Sequence, residues 1–222
     1  MSDQRLLFEK MGRSRYISHL DLMRTFQRAF LRAGIDIKHT EGFNPHAFVS
    51  IVLPLSVGYS SECEILEFGL TGGVSNAEVP DRLNGALPEG IFVRDCYDGQ
   101  RPVKQLVSVD WTVILEYDDG LPDGAGAALR ALLSRDGLVV KKKSKKAKTG
   151  FTEVDIIPMV KNWTVMEGER TLVLNCVLAA QNPGLNPELV VAAFRREHPE
   201  FGPDHARCHR NEVLDEAGEV FR

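Results

Sequence analysis

The sequence predicts an α+β protein of two tandem ferredoxin-like (β-α-β-β-α-β) halves, with antiparallel sheets and with the helices on one face. Two observations support this prediction. Residues 1–100 alternate strand-like and helix-like patterns in that order, and residues 101–222 repeat it in a more elaborate form. The polar stretch 99–105 contains Pro102 and is typical of a linker. We therefore expect two domains, residues 1–100 and residues 101–222.

The most sharply marked element of the first half is a helix that begins at His19. Ser18 and Asp21 form a capping box, because the Ser18 hydroxyl can accept the amide hydrogen three residues further along the chain. Gly34 is typical of the left-handed residue that follows a helix. At about 100° per residue, apolar side chains share one side of this helix and basic side chains share the other. The expected packing side comprises Leu22, Met23, Phe26, Ala29, Phe30 and Ala33.

The other elements of the first half follow from apolar runs and turn residues. Ser75 and Glu78 are expected to cap a second helix that runs through Leu87. Apolar and branched residues on either side of the turn at 56–61 predict a hairpin. The predicted strands are residues 4–10, 35–37, 48–55, 64–70 and 91–96.

The second half repeats this order with longer connections. Asn186 is expected to cap a helix whose first residue is Pro187 and which ends before Pro199. Another helix is predicted at residues 122–135, although two glycines weaken it. The predicted strands are residues 107–117, 138–142, 155–166, 171–179 and 206–214.

Size and charge limit the class of protein. A chain of 222 residues with 43% hydrophobic content is long enough to bury a sizeable core. The net charge of −4 argues against a uniformly nucleic-acid-coated surface, but it is compatible with local basic patches. No apolar run approaches the roughly 20 residues that span a bilayer, and residues 1–4 lack a signal peptide's hydrophobic region. We expect a cytoplasmic, soluble protein with no membrane partner.

The cysteine pattern predicts reduced, mostly buried thiols. Structural zinc and iron–sulfur sites usually show closely spaced cysteines, and this chain has no C-x-x-C pair. Glycine-rich phosphate loops of the G-x-x-x-x-G-K-S/T or G-x-G-x-x-G type are also absent from the sequence. We therefore expect no metal and no cofactor. The cysteines are Cys63, Cys96, Cys176 and Cys208.

A dense lysine run, KKKSKKAK at residues 141–148, is the first candidate site. Such a run can neutralise phosphates and release their counterions, which produces salt-dependent and sequence-independent affinity for nucleic acid. The alternative is an exposed hairpin tip that its charge keeps soluble. Because the rest of the chain is acidic, we favour RNA contact. The candidates are Lys141, Lys142, Lys143, Lys145, Lys146 and Lys148.

Arginines before and along the first predicted helix form the second candidate site. Their planar guanidinium groups suit phosphate oxygens, and the helix entrance favours an anion. The alternative is a solvated helix face on which Asp21 pairs with an arginine, and we assign Arg32 to that role. The predicted RNA-binding arginines are Arg13, Arg15, Arg24 and Arg28.

The third candidate site combines His19 with the loop at residues 40–46, which we expect to lie within its reach. Phe43 could stack on an unpaired base, and Asn44 lies beside it. His19 and His46 could serve as general base and acid for RNA cleavage at a 2′-hydroxyl, because histidine titrates near neutrality. In the alternative, His19 bonds the loop and the Asn–Pro pair forms a turn. These four residues join the RNA-binding candidates.

Three runs carry a resemblance to a known family. They are R-S-R-Y-I-S-H-L-D-L-M-R, A-G-I-D-I-K-H-T-E-G-F-N-P-H and L-P-L-S-V-G-Y-S-S-E-C-E, which begin at residues 13, 33 and 53. The chain resembles the bacterial radical S-adenosylmethionine (SAM)-linked domain family DUF2344 from Arg5 to about Tyr97, and again near residues 154–156. The resemblance implies a protein that occurs beside, or fused to, a radical SAM protein, often near ribosomal-protein and ribonuclease genes. Typical members have a second basic residue where this chain has Ala47.

These patterns favour an RNA-binding accessory protein that presents ribosomal or transfer RNA to a radical SAM partner enzyme. The partner follows from the resemblance, and the RNA follows from the basic residues. One alternative is a metal-independent endoribonuclease that uses His19 and His46, by fold-level analogy with CRISPR nucleases of the RAMP superfamily. Another is a protein-binding adaptor whose surface at residues 43–54 docks the partner.

Overall fold

The computed structural model describes residues 4–143, 150–181 and 183–222. The chain divides into two compact units: unit 1 contains Met1–Gln105 and Val220–Arg222, and unit 2 contains Leu106–Glu219. Within the described residues the fold is mixed α/β, with four α-helices and mostly antiparallel strands. The predicted mixture of helices with antiparallel strands is therefore confirmed. No helix in this part of the chain is long and apolar enough to cross a membrane.

Unit 1 contains four strands and two α-helices. Strand β1 pairs with both β4 and β3, and β3 also pairs with β2, so the strand order is β4-β1-β3-β2 with every pair antiparallel. The elements are β1 (Gln4–Lys10), α1 (His19–Arg32), β2 (Val49–Ile51), β3 (Ser60–Phe68), α2 (Val79–Asn84) and β4 (Ile91–Asp98).

Helix α1 begins and ends as its sequence predicts. The Asp21 amide donates a hydrogen bond of 3.2 Å to Ser18 Oγ, and the Ser18 hydroxyl donates one of 2.7 Å to the Asp21 carboxylate. The bond from Ser18 lowers the pKa of Asp21 below its usual value. Gly34 follows the helix with a φ of +63°, in the left-handed region that glycine adopts at little cost.

The predicted apolar side of α1 forms the core of unit 1. Phe26 packs edge-to-face on Phe8 of β1 with ring centroids 4.8 Å apart, and Phe30 meets Phe68 of β3 at the same separation. All four rings are at most 1% exposed. The helix therefore covers one face of the unit 1 strands and holds its polar side away from them.

Several element boundaries in unit 1 differ from the prediction. Residues 35–37 do not form a strand, because Ile37 makes only an isolated bridge to Leu70. Strand β2 has three residues rather than eight, and Pro54, which lacks an amide hydrogen, follows soon after it. Helix α2 begins at Val79 and ends at Asn84 instead of continuing through residue 87.

Ser75 and Glu78, which were expected to cap α2, instead close a turn that precedes the helix. Glu78 Oε2 accepts hydrogen bonds from the Ser75 amide at 3.0 Å and from the Ser75 hydroxyl at 2.7 Å. These bonds lower the pKa of Glu78 to about 2. The Glu78 carboxylate therefore closes the 75–78 turn, and no side chain caps the helix itself.

Unit 2 also contains a four-stranded sheet, together with a separate two-stranded ribbon. The sheet order is β10-β5-β9-β8, and β6 pairs with β7, all antiparallel. The elements are β5 (Ser108–Glu116), α3 (Ala125–Leu133), β6 (Val139–Lys143), β7 (Phe151–Asp155), β8 (Val160–Glu167), β9 (Thr171–Ala179), α4 (Pro187–Glu197) and β10 (His205–Leu214).

The prediction was wrong for one strand of unit 2 and correct for one helix. The single strand expected at 155–166 is two strands, β7 and β8, separated by the 3₁₀ turn Ile157–Met159. Helix α4 begins as predicted, since Asn186 Oδ1 accepts a hydrogen bond of 3.0 Å from the Glu188 amide. Helix α3 is shorter than residues 122–135 at both ends.

The four cysteines are buried thiols, as the sequence predicts. Burial raises the pKa of Cys96 to about 12. It raises the pKa of Cys176 to about 12 as well. Both thiols therefore stay protonated near neutral pH, where a thiol is a poor nucleophile and a poor metal ligand.

Candidate functional site

The ribbon formed by β6 and β7 carries the start of the lysine run and is fixed to unit 2 at its base. Leu138 and Val140 are buried. The Ile156 amide donates to Leu138 O at 3.0 Å, and Arg196 Nη2 donates to Val139 O at 3.0 Å. The base of the ribbon is therefore packed and hydrogen-bonded, and the lysine run follows directly from it.

The lysines in the described part of the ribbon differ in their roles. Lys141 is exposed and lies opposite Glu153 in the strand pair. Lys142 Nζ donates a hydrogen bond of 2.6 Å to Gly184 O, so this side chain helps to hold the ribbon in place. Lys143 is the last residue of β6. The remaining candidates, Lys145, Lys146 and Lys148, lie outside the described residues.

A 3₁₀ turn, Gly12–Tyr16, holds the first two candidate arginines. The buried Ser14 hydroxyl donates a hydrogen bond of 2.6 Å to Glu89 O. Arg15 O accepts from Lys10 Nζ at 3.0 Å and from the Gly58 amide at 2.8 Å. The backbone of this turn is thus tied to the loops that surround it.

The two arginines of this turn face different surroundings. The Arg15 guanidinium stacks 4.9 Å from the centroid of the Tyr16 ring, and its Nη2 donates to the Tyr16 hydroxyl at 2.9 Å. Arg13 is exposed and makes no hydrogen bond or ion pair with the described residues. Arg13 is therefore available to an external anion, whereas Arg15 is already oriented by a neighbouring ring.

Gly90 supports this turn, and replacing it with alanine is expected to lower the free energy of unfolding by about 1–3 kcal/mol. Gly90 has a φ of +83°, its carbonyl accepts from the Met11 amide at 2.7 Å, and an added Cβ would lie 2.5 Å from Met11 O. Urea denaturation of Gly90→Ala measures the change. Gly73→Ala is the matched control, since nothing lies within 4 Å of its Cβ position. Equal stability of the two variants would contradict the prediction.

Some of the arginines on the basic side of α1 are hydrogen-bonded within the protein. Arg24 Nη1 lies 3.1 Å from Asp21 Oδ1, and both side chains are more than half exposed, so the attraction is weak. Arg32 Nη2 donates a hydrogen bond of 2.6 Å to Ala86 O. Arg28 is exposed and has no hydrogen bond or ion pair within the described residues. Of the two helix candidates, Arg28 is the one whose side chain makes no hydrogen bond there, although its charge interacts with the Asp21 carboxylate.

The loop with Phe43, Asn44 and His46 is a short hairpin beside the first residue of β1. Lys38 and Gly69 are joined by a backbone hydrogen bond of 2.8 Å, and the Leu70 amide donates to Gln4 Oε1 at 2.9 Å. Residues 41–46 are all exposed. The loop therefore projects from the end of the sheet at which β1 begins.

His19 is the first residue of α1. The helix starts beside the last residue of β1, where Lys10 bonds the turn before the helix. The contact between the helix and the loop comes from Gln27, whose Nε2 donates to Ala47 O at 2.9 Å. Gln27 follows His19 by eight residues, which corresponds to about 12 Å along the helix axis.

The loop with His46 is thus tied to α1 about 12 Å from His19 along the helix axis, and the expected meeting of the two histidines stays a prediction. His19 makes no hydrogen bond or ion pair with any residue in the described ranges.

Two residues that sequence reasoning missed shape the loop. Thr40 bonds His46 through its amide and its hydroxyl, and Gln27 ties the loop to the middle of α1. Thr40 lies within the second run that carries the family resemblance, but the sequence indicated no role for it, and Gln27 lies outside the three runs. Among residues 4–143, 150–181 and 183–222, no group of three histidine, cysteine or acidic side chains could hold a metal ion.

Comparison with solved structures shows the fold of the chain. A chain in the crystal structure of a Cbf5-Nop10-Gar1 complex matches with a TM-score of 0.51 and 8% identity, over 96% of this chain and 50% of that chain. This chain thus spans half the length of that one, and the likeness extends to the fold alone. An unknown protein from Galdieria sulphuraria matches over 94% of this chain and 98% of its own, at 12% identity and a TM-score of 0.28, too low to support an argument.

Comparison with sequences identifies the family. No curated protein matches the chain. A family described as an uncharacterized protein conserved in bacteria, DUF2344, matches residues 4–187. This range contains the three runs that carry the resemblance and continues well into unit 2. Since it covers more than half of the chain, the protein belongs to the DUF2344 family.

Proposed function

We propose that this protein is an RNA-binding accessory protein that presents ribosomal or transfer RNA to a radical SAM partner enzyme. One observation carries the RNA part of the proposal. Six of the eight residues at 141–148 are lysines, and this run begins within β6 of a ribbon whose base is packed, in a chain of net charge −4. A cationic segment on an anchored hairpin suits the phosphate backbone of a nucleic acid.

The exposed groups of unit 1 supply further contacts in this proposal. Arg13 and Arg28 are exposed cations whose side chains make no hydrogen bond or ion pair with the described residues, and Phe43 presents its ring to solvent. Arginine suits phosphate oxygens, and an exposed ring suits an unpaired base. Arg15 and Arg24 contribute less in this arrangement, because Tyr16 and Asp21 already engage them.

The proposal also includes a tandem ferredoxin-like architecture. The strand orders support it, since β4-β1-β3-β2 in unit 1 and β10-β5-β9-β8 in unit 2 follow the same connectivity once the ribbon is treated as an insertion. Single-stranded RNA is bound by several small α/β modules. Fold alone does not specify function, so the exposed residues carry the proposal.

Salt-dependent RNA binding tests this function. We expect the full chain to bind transfer RNA and ribosomal RNA fragments at low salt, and the logarithm of the association constant to fall linearly with the logarithm of the salt concentration. Crosslinking in host cells, followed by identification of the recovered RNA and protein, tests the partner. Absence of RNA binding at low salt would overturn the RNA function. Recovery of RNA without a radical SAM protein would overturn the proposed radical SAM partnership.

A further inference from the structure

The tip of the unit 1 loop, residues 40–46, is an ordered hairpin that we call the Phe43 loop. The Thr40 amide donates to His46 O at 2.8 Å, and the His46 amide donates to Thr40 Oγ1 at 3.2 Å. This pair closes the loop at its base. Phe43 therefore lies at the tip of a closed turn rather than in an open connection.

Phe43 is fully exposed, with a relative accessibility of 109%. Phe92 of β4, another exposed phenylalanine of unit 1, is 52% exposed because neighbouring side chains cover about half of it. A phenyl ring at full exposure adds nothing to the core of unit 1. Both of its faces remain open, as base stacking on an aromatic side chain requires.

Two contacts within the loop orient the His46 ring. Its Nδ1 lies 3.1 Å from Asn44 O and 3.1 Å from Thr40 Oγ1. A carbonyl oxygen only accepts, so the contact with Asn44 O favours the tautomer with the proton on Nδ1, and the Thr40 hydroxyl can accept from or donate to that nitrogen. In the neutral ring Nε2 is then an acceptor, and no described residue bonds it.

Asn44 adds donors and an acceptor at the same tip. Its backbone carbonyl orients His46, while its side-chain amide is exposed and bonds no residue in the described part of the chain. A side-chain amide can both donate to and accept from the edge of a base. The Phe43 loop thus presents a stacking surface, an amide and an acceptor nitrogen within four consecutive residues.

We propose that the Phe43 loop binds one unpaired ribonucleotide. The base stacks on Phe43, the Asn44 amide contacts the edge of the base, and His46 Nε2 accepts the hydrogen of the ribose 2′-hydroxyl. This inference rests on the proposed RNA-binding function and deepens it, because it assigns recognition of RNA over DNA to one residue. The 2′-hydroxyl is the group that distinguishes the two nucleic acids at such a site.

Binding of the full chain to an oligouridine and to the oligodeoxyuridine of equal length tests the proposal. Phe43→Ala is expected to weaken binding to both by about 5- to 100-fold, whereas Phe43→Trp retains it. His46→Ala is expected to weaken binding to the RNA alone, by about fivefold, so that the RNA-to-DNA affinity ratio approaches one. Phe92→Ala is the matched control and leaves both affinities unchanged.

Two results would overturn the proposal while RNA binding by the protein stands. If Phe43→Ala binds both oligonucleotides like the parent protein, the loop serves another occupant, such as a protein. If His46→Ala weakens RNA and DNA equally, its imidazole supports the loop and does not contact the 2′-hydroxyl. If the parent protein itself does not bind RNA at low salt, the proposed RNA-binding function is wrong.

Discussion

Replacing Lys143, Lys145, Lys146 and Lys148 by glutamine is expected to weaken RNA binding by two to three orders of magnitude at about 0.1 M monovalent salt. Each lysine that neutralises a phosphate of a single strand contributes about 0.7 to the slope of log affinity against log salt. Removing four such contacts lowers that slope by about 3. Glutamine keeps a comparable polar side chain and removes only the charge. Filter binding or fluorescence anisotropy over a salt series measures both quantities.

Two double variants with the same change in net charge separate the effect of the lysine run from the effect of the protein's overall charge. The double variant Lys145→Gln/Lys146→Gln and the double variant Lys104→Gln/Lys161→Gln change net charge equally, and the second pair is exposed outside the ribbon. We expect the first pair to lower the salt slope by about 1.4 and the second to leave it unchanged. Equal effects of the two pairs would mean that net charge, and not the lysine run, governs binding.

Replacing Phe26 by alanine is expected to lower the free energy of unfolding of unit 1 by about 3–5 kcal/mol. Phe26 is 0% exposed and its ring packs 4.8 Å from Phe8, so truncation removes buried apolar area and leaves a cavity beneath α1. A loss of this size is a large part of the free energy of unfolding of a typical domain, which is roughly 5–15 kcal/mol. Urea denaturation followed by circular dichroism measures it.

Two further variants keep this prediction testable. Phe26→Leu is expected to cost about 1.5 kcal/mol or less, so it stays folded even if the alanine variant does not. Phe92→Ala, at a half-exposed phenylalanine of the same unit, is expected to change stability by no more than about 1 kcal/mol. If Phe26→Ala costs no more than Phe92→Ala, the packing described for α1 is wrong.

Local patterns predicted the elements that are stabilised by near neighbours in sequence. The Ser18 cap, the glycine after α1 and the Asn186 cap were predicted correctly, because a cap bonds residues two or three positions away. The buried side of α1 was also correct, since helical periodicity defines it. Strand ends were predicted less well: β2 is shorter than expected, and residues 155–166 belong to two strands. The length of a strand depends on its partner.

The sequence by itself determined the composition of this protein's candidate site: a lysine run, an arginine-rich helix entrance and a loop with an aromatic residue and a histidine. Only the tertiary structure decided which of these groups meet. It ties the loop with His46 to α1 at Gln27, eight residues beyond His19, and it packs Phe221 against the guanidinium groups of Arg5 and Arg101. The physical reason is that periodicity and caps act over a few residues, whereas these placements depend on strand pairing and burial between residues far apart in the chain.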